Sequence, residues 1–226
     1  MEIRPIAYFN SPFTSKFGIP RQSGLVDKLR GTIVFTDEYS SLDAVRGLDG
    51  FDCLWIIWGF SENVSARKHP TVRPPRLGGN RQMGVFATRS PFRPNNLGLS
   101  AVRINKIEMR GGKLTISVSG ADLMHGTPIY DIKPYVVQAD CRPGIRSGFT
   151  DTEEWKTLSV SMPEEYEKMF DGDELDAVKQ ALALDPRPHY HSDAERIYGM
   201  PFAGRDVRFT VEDSTVRVVD VVDARE

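Results

Sequence analysis

GVFATRSPFRPNNLGLS, residues 84–100, reads as a strand that is broken and then resumed. Val85 and Ala87 alternate with Phe86 and Thr88 at the period of a strand. The alternation stops at Arg89-Ser90-Pro91-Phe92-Arg93-Pro94. Pro91 and Pro94 fix φ and withhold their donors, so neither a helix nor a central strand runs through them. Asn95-Asn96 and Gly98 supply turn conformations, and Leu99 restarts an apolar run. The expected result is a stiff loop holding two guanidiniums between two strands. A guanidinium is planar and permanently charged, and it suits phosphates, carboxylates and ring faces. Any single arginine here is well explained as a solvated surface residue; the whole stretch is not.

The segments on either side also read as strands. FDCLWIIWGF, residues 51–60, is nearly all apolar, rich in aromatic and β-branched residues, and short for a buried helix. It is expected to be a central strand. Residues 99–107 and 114–120 form a hairpin across Gly111-Gly112, with Leu114, Ile116 and Val118 inward and Thr115, Ser117 and Ser119 outward. Residues 3–9 read as an edge strand that tolerates Pro5, residues 31–36 as a short β segment, and residues 131–137 as a strand interrupted at Pro134. Ser40 or Ser41 caps a short helix with Leu42, Val45 and Leu48 on one side. No βαβ alternation is present. A mainly β fold follows, with an antiparallel, barrel-like domain and few short helices.

That domain is expected to span residues 1–138. Pro143, Gly144 and Gly148 mark a linker over 139–152, and a small α+β domain occupies 153–226. Its elements are a β segment with Leu158, Val160 and Met162, a helix opened by Pro163, and a helix carrying Leu175, Val178 and Leu182. Asp185-Pro186-Arg187-Pro188 ends that helix, and a final hairpin runs from Val207 to Val222.

The net charge of −2 conceals a segregated distribution. From Asn63 through Ile107 there is no Asp or Glu, while Arg67, Lys68, Arg73, Arg76, Arg81, Arg89, Arg93, Arg103 and Lys106 all fall inside that interval. A solvated face usually interleaves acidic partners, so this interval points to a polyanion. No apolar run approaches the roughly 20 residues of a membrane span. MEIRPIAYFN carries no signal-peptide apolar segment, so a cytoplasmic protein is expected. Cys53 and Cys141 are isolated, which indicates neither zinc nor a disulfide framework, and Cys53 is expected to be a buried thiol.

Neither GxGxxG after a strand nor GxxxxGK[ST] occurs, which argues against Rossmann and P-loop nucleotide sites. His189 and His191 stand two apart but lack a third ligand nearby, so no metal is expected. The stretch Asp122-Leu123-Met124-His125-Gly126-Thr127-Pro128, followed by Ile129-Tyr130-Asp131-Ile132-Lys133-Pro134-Tyr135, is denser in chemistry. From spacing alone, a capped turn with a surface ion pair explains it as well as a functional site does.

GVFATRSPFRPN with the following Gly-Leu-Ser resembles the signature of the TsaA-like family. So do Pro20-Arg21-Gln22 with Gly24, Thr71 to Asn80 (TVRPPRLGGN), the Asp122 to Thr127 turn, DIKPY at 131–135, and Asp185-Pro186-Arg187-Pro188 with Tyr190. These matches occur in the family's order and span most of the chain. The resemblance implies a β-barrel that binds S-adenosylmethionine without a Rossmann fold and works as a homodimer. Its implied activity is methylation of N6 on a modified adenosine beside the tRNA anticodon, position 37, bearing a threonylcarbamoyl group.

Carried over residue by residue, the implied cofactor-binding set is Pro20, Arg21, Gln22, Arg89, Leu99, Ala121, Asp122, Leu123, Gly126 and Thr127. Ser61 and Glu62 join it, although the resemblance would place a dipeptide such as His-Gln there. Asp131 and Tyr135 are candidates to take the proton from the adenine amine, and Lys133 to orient or bind substrate. Arg67, Lys68, Arg73, Arg76, Arg81, Arg93 and Arg187 are the expected tRNA contacts. The carboxy-terminal segment is expected to serve tRNA rather than the cofactor. The rival reading is a non-catalytic RNA-binding module using the same basic interval, but the aromatic pairs of an RNP-type sheet are not visible.

Overall fold

The computed structural model describes residues 2–63, 69–74, 81–152, 156–188, 193 and 195–224. Six strands close into a barrel: β1 (Ala7–Asn10), β2 (Arg30–Phe35), β3 (Cys53–Gly59), β6 (Leu97–Arg110), β7 (Lys113–Ser119) and β8 (Thr127–Pro134). Their order is β1-β2-β7-β6-β3-β8, and every neighbouring pair is antiparallel. A two-stranded ribbon, β4 (Thr71–Val72) with β5 (Met83–Gly84), stands between β3 and β6 in sequence.

The expected central strand is β3, flanked by β6 and β8. Leu54, Ile56 and Trp58 turn inward to join Ala7, Phe9, Ile33, Val102, Ile116, Val118 and Ile129 in the barrel core. Closure changes the role of β1. It pairs with both β2 and β8, so it is no edge strand, and Pro5 lies before it rather than within it. β8 begins at Thr127, earlier than expected, and ends at Pro134, which has no donor for the next ladder bond. Thr115, expected outward, is buried with its hydroxyl donating to the Glu108 carbonyl. Cys53 is only half-buried. The short helix near Ser41 is a 3-10 turn, Leu42–Val45, whose cap is the Ser41 hydroxyl accepting from the Asp43 amide.

The strand expected at 85–88 is absent. Met83–Gly84 is the only strand there, and Val85–Ala87 is a 3-10 turn. The Thr88 hydroxyl and the Arg93 guanidinium both donate to the Val85 carbonyl, at 2.9 and 3.2 Å. These side-chain bonds take up the carbonyl that a strand partner would use.

Beyond helix α1 (Val137–Asp140), a second sheet has the order β10-β11-β12-β9. It is built from β9 (Ser159–Ser161), β10 (Tyr198–Phe202), β11 (Arg205–Glu212) and β12 (Thr215–Asp223), with β9 parallel to β12. β10 was not legible in the sequence. Helix α2 (Glu164–Glu167) is one turn, while α3 (Gly172–Ala183) starts on a capping box between Asp171 and Glu174. Ala177, Val178, Ala181 and Leu182 form its buried side.

This second core also takes Phe13, Val26 and Leu29 from the β1–β2 connection. Phe13 meets Phe202 edge-on at 5.0 Å, and Gly18 lies where a Cβ would fall 2.3 Å from the Met200 sulfur. The side-chain amide of Gln180 on α3 donates to Asp27 at 2.9 Å, and Arg30 pairs with Asp173. The β1–β2 connection is thus held between the barrel and the carboxy-terminal sheet.

Candidate functional site at one end of the barrel

In an antiparallel barrel, alternate connections leave from the same end. The connections β1–β2 (residues 11–29), β3–β6 (60–96) and β7–β8 (120–126) therefore share one end, and side chains tie them together. Arg89 Nη1 donates to Gln22 Oε1 at 2.7 Å. Lys16 Nζ donates to the Glu62 carbonyl at 2.8 Å. The Gly24 amide donates to the Gly120 carbonyl at 2.8 Å, and the Gly120 amide to the Leu29 carbonyl at 2.9 Å. Gln22, Glu62, Arg89 and the turn from Ala121, all named from the sequence, are brought together here.

Asp122 is the partly enclosed carboxyl of this end. The Trp58 indole donates to the Ser100 hydroxyl at 2.9 Å, and Ser100 in turn donates to Asp122 Oδ1. Desolvation pushes the Asp122 carboxyl above the usual carboxylate range. The Ser100 hydroxyl, the backbone amides of Asp122 and Ser23, and the nearby Arg89 charge all oppose that rise. Ser100 was missed in the sequence reading, although it closes the signature stretch. Ala121 and Leu123 are buried in the barrel core, and Thr127 is buried too. Pro20 is buried as well, while Ser61, Glu62 and Gly126 are exposed.

Desolvation lowers the Arg21 guanidinium from its usual range, and the nearby Asp185 carboxylate opposes that shift. Asp185 also grips Arg187 with two bonds, Nε to Oδ1 at 2.8 Å and Nη2 to Oδ2 at 2.9 Å. Side-chain exposures of 16% for Arg187 and 25% for Asp185 make this a mostly buried fork. Arg187, expected on tRNA, thus has its guanidinium engaged within its own turn by Asp185. Arg93 is similarly engaged, donating to the carbonyls of Val85 and Thr88. Arg73 and Arg81 are exposed at the base of the β4–β5 ribbon. Arg67, Lys68 and Arg76 lie outside the described residues, as do His189, Tyr190 and His191.

Asp131, Lys133 and Tyr135 all face outward, but they do not form one cluster. Lys133 pairs with Asp131 at 2.9 Å, and the Tyr135 ring stands 5.4 Å from that of Trp55. Register puts Asp131, Ile57 and Leu99 in one outward row across β8, β3 and β6. At sheet spacing, Asp131 is therefore roughly 10 Å from Leu99, and Tyr135 roughly 13 Å further along β8. Leu99 is 53% exposed. A groove of about 760 Å³ runs beside Tyr135, Cys53, Arg103, Gly120 and Gly24. Among the described residues no group of three or more His, Cys, Asp or Glu side chains is placed to hold a metal ion, and no helix is long and apolar enough to cross a membrane.

Residues 8–141 match the model of the tRNA-methyltransferase O N-terminal domain, and residues 149–224 that of the TrmO C-terminal domain. The chain belongs to the tRNA-methyltransferase O family. It is 36% identical over 225 residues to the tRNA (adenine(37)-N6)-methyltransferase of Escherichia coli (strain K12), covering 96% of each chain. A Pseudomonas aeruginosa relative, 37% identical over 97% of this chain and 96% of its own, carries S-adenosylmethionine-dependent methyltransferase in its name. The crystal structure of TrmO from Pseudomonas aeruginosa superposes with a TM-score of 0.80 at 30% identity, covering 98% of each chain.

The TrmO-family barrel carries a donor set that suits S-adenosylmethionine. Gln22 is a neutral acceptor, so the Arg89 guanidinium keeps a net positive charge for a carboxylate. Asp122 offers carboxyl oxygens for an ammonium or a hydroxyl, and Leu99 offers an exposed apolar surface. A zwitterionic amino acid joined to an adenosine needs each of these.

Proposed function

We propose that this TrmO-family chain transfers a methyl group from S-adenosylmethionine to N6 of adenosine 37 in tRNA, with the threonylcarbamoyl-modified adenosine as its substrate form. The observation that carries the reading is the meeting of Gln22, Arg89 and Asp122 at one barrel end, linked by Ser100 to the buried Trp58. S-adenosylmethionine supplies an electrophilic methyl on a sulfonium whose positive charge is lost on transfer. Arg21, Gln22, Arg89, Asp122 and Leu99 would hold it, with Ser61, Glu62 and the backbones of Pro20, Ala121, Leu123, Gly126 and Thr127 lining its edges.

The adenine amine is a poor nucleophile, and it must lose a proton around the time of attack. Asp131, oriented by Lys133, is the proton acceptor in this proposal, because its outward row includes Leu99. Tyr135 has a subsidiary place on the same face. Desolvation, with Cys141 and Asp140 nearby, pushes its phenol upward, which leaves less phenolate at neutral pH. Arg73 and Arg81, with Arg67, Lys68 and Arg76, attract the tRNA phosphates. The working species is a homodimer, and its compartment is the cytoplasm.

Mass spectrometry of tRNA nucleosides from cells with and without this protein tests the reading. The N6-methylated threonylcarbamoyladenosine should vanish without the protein and return with the wild type, but not with Asp131→Asn. An unchanged nucleoside profile in its absence overturns the assignment.

A further inference from the structure

Phe86 is 74% exposed, more than any other large hydrophobic side chain among the described residues. It is not loosely displayed. Val85 beside it is buried, and its amide donates to the Pro70 carbonyl at 2.9 Å. The Thr88 hydroxyl and the Arg93 guanidinium lock the turn from its other side. The Arg93 guanidinium carbon also lies 5.5 Å from the Phe86 ring centroid, so one ring face is backed by a cation. Phe92 and Leu99 of the same stretch are also exposed, at 41% and 53%. An aromatic ring pinned in water by its own backbone is a surface prepared for a flat partner.

The charge around it selects that partner. The ring belongs to the stretch of sequence from Asn63 to Ile107 that contains no Asp or Glu, and Arg73 and Arg81 stand exposed within that stretch. A segment that is cationic and aromatic, with no carboxylate in its own sequence, suits a single-stranded nucleic acid, whose phosphates meet the arginines while a base stacks on the ring. We propose that Phe86 is a stacking platform for one unpaired base of the RNA loop that presents the target adenosine. This rests on the tRNA methyltransferase reading and adds a base contact that the cofactor-end residues do not provide.

The test is binding of an anticodon stem-loop RNA, without cofactor, to the wild type, Phe86→Ala and Phe86→Trp. Phe86→Ala should weaken binding by roughly 5- to 150-fold, with the salt dependence unchanged because no phosphate contact is lost. Phe86→Trp should restore most of the affinity. Repeating the series with abasic sites through the loop should reveal one position at which Phe86→Ala costs nothing further. A penalty that persists at every abasic position overturns the proposal. A parallel loss of S-adenosylmethionine affinity by calorimetry assigns the ring to the donor's adenine and also overturns it. A shift of Phe86→Ala to a smaller species in sedimentation makes the ring a subunit contact, which likewise excludes the platform. If the wild type binds the stem-loop and Phe86→Ala binds it equally, only the platform falls. If the wild type does not bind it, the functional reading falls too.

Discussion

Arg89 reaches across 67 residues of sequence to donate a 2.7 Å hydrogen bond to the side-chain oxygen of Gln22. The bond orients the guanidinium without neutralising it, because the acceptor is an amide. Arg89→Ala should therefore weaken S-adenosylmethionine binding by about 1.5–3 kcal/mol, the worth of a charge-assisted contact. Gln22→Ala should cost less, about 0.5–1.5 kcal/mol, since it removes the orientation and leaves the charge. The double variant should lose little beyond Arg89→Ala alone, because the two residues act through one contact. Calorimetry at several salt concentrations checks this. If Arg89→Ala weakens only tRNA binding, and flattens its salt dependence, the cofactor role is lost.

The parts of this molecule that were legible in the sequence are those set by neighbours in the chain. The apolar run of β3, the Gly111-Gly112 hairpin and the apolar spacing of α3 each carry their own period. The turn at Val85–Ala87 was not legible, because Arg93, eight residues from Val85, takes the carbonyl that a ladder would use. Nor could spacing show that Phe13, Val26 and Leu29 desert the barrel for the second core. The family motifs named Gln22, Arg89 and Asp122 together, but Ser100, which joins Asp122 to Trp58, needed coordinates. Arg93 and Arg187, expected as phosphate contacts, also have acceptors within the protein that spacing could not show.

Asp122 should leave a signature in stability against pH. Its carboxyl is held above its unfolded value, so between those two values the folded state binds more protons than the unfolded one. Stability from this group therefore falls as pH rises from the ordinary carboxylate range through the folded value. Asp122→Asn keeps an oxygen to accept from Ser100 and cannot ionise. Its stability relative to the wild type should rise with pH across that window and then level off. Urea denaturation of both proteins between about pH 4 and pH 7.5 measures the difference. A difference that is flat, or that moves the other way, would mean that Asp122 is not held up by desolvation.

The packing sets a test for the expectation that the carboxy-terminal segment serves tRNA rather than the cofactor. A chain ending at Val137 would expose Phe13, Val26 and Leu29, which line the segment carrying Arg21 and Gln22. It would also remove Asp185, the electrostatic partner of Arg21. Such a chain should lose cofactor binding along with stability. Asp185→Asn is the milder version: it strips the charge from a mostly buried fork with Arg187 and should cost about 1–3 kcal/mol of stability. Cofactor affinity should fall with it, because Arg21 loses its partner. Retention of wild-type cofactor affinity by both proteins would return the segment to a role confined to tRNA.

Gly98 is fixed by contact rather than by backbone conformation. It faces Trp58 across the β3–β6 pair, and a Cβ there would fall 2.3 Å from the indole ring. That ring cannot move aside freely, because its nitrogen donates to Ser100, and Ser100 donates to Asp122. Gly98→Ala should thus be an overpacking change felt at the site, destabilising the fold by about 1–3 kcal/mol. Displacing the indole should also loosen the hydroxyl that holds Asp122, so cofactor affinity should drop beyond what the stability loss alone produces. Gly84→Ala is the control: nothing lies within 4 Å of a Cβ at Gly84, although it belongs to the same signature stretch. Thermal unfolding and calorimetry of the two variants make the comparison. Equal, small effects from both would show that Trp58 yields without cost, and the path from Gly98 through Ser100 to Asp122 would carry no coupling.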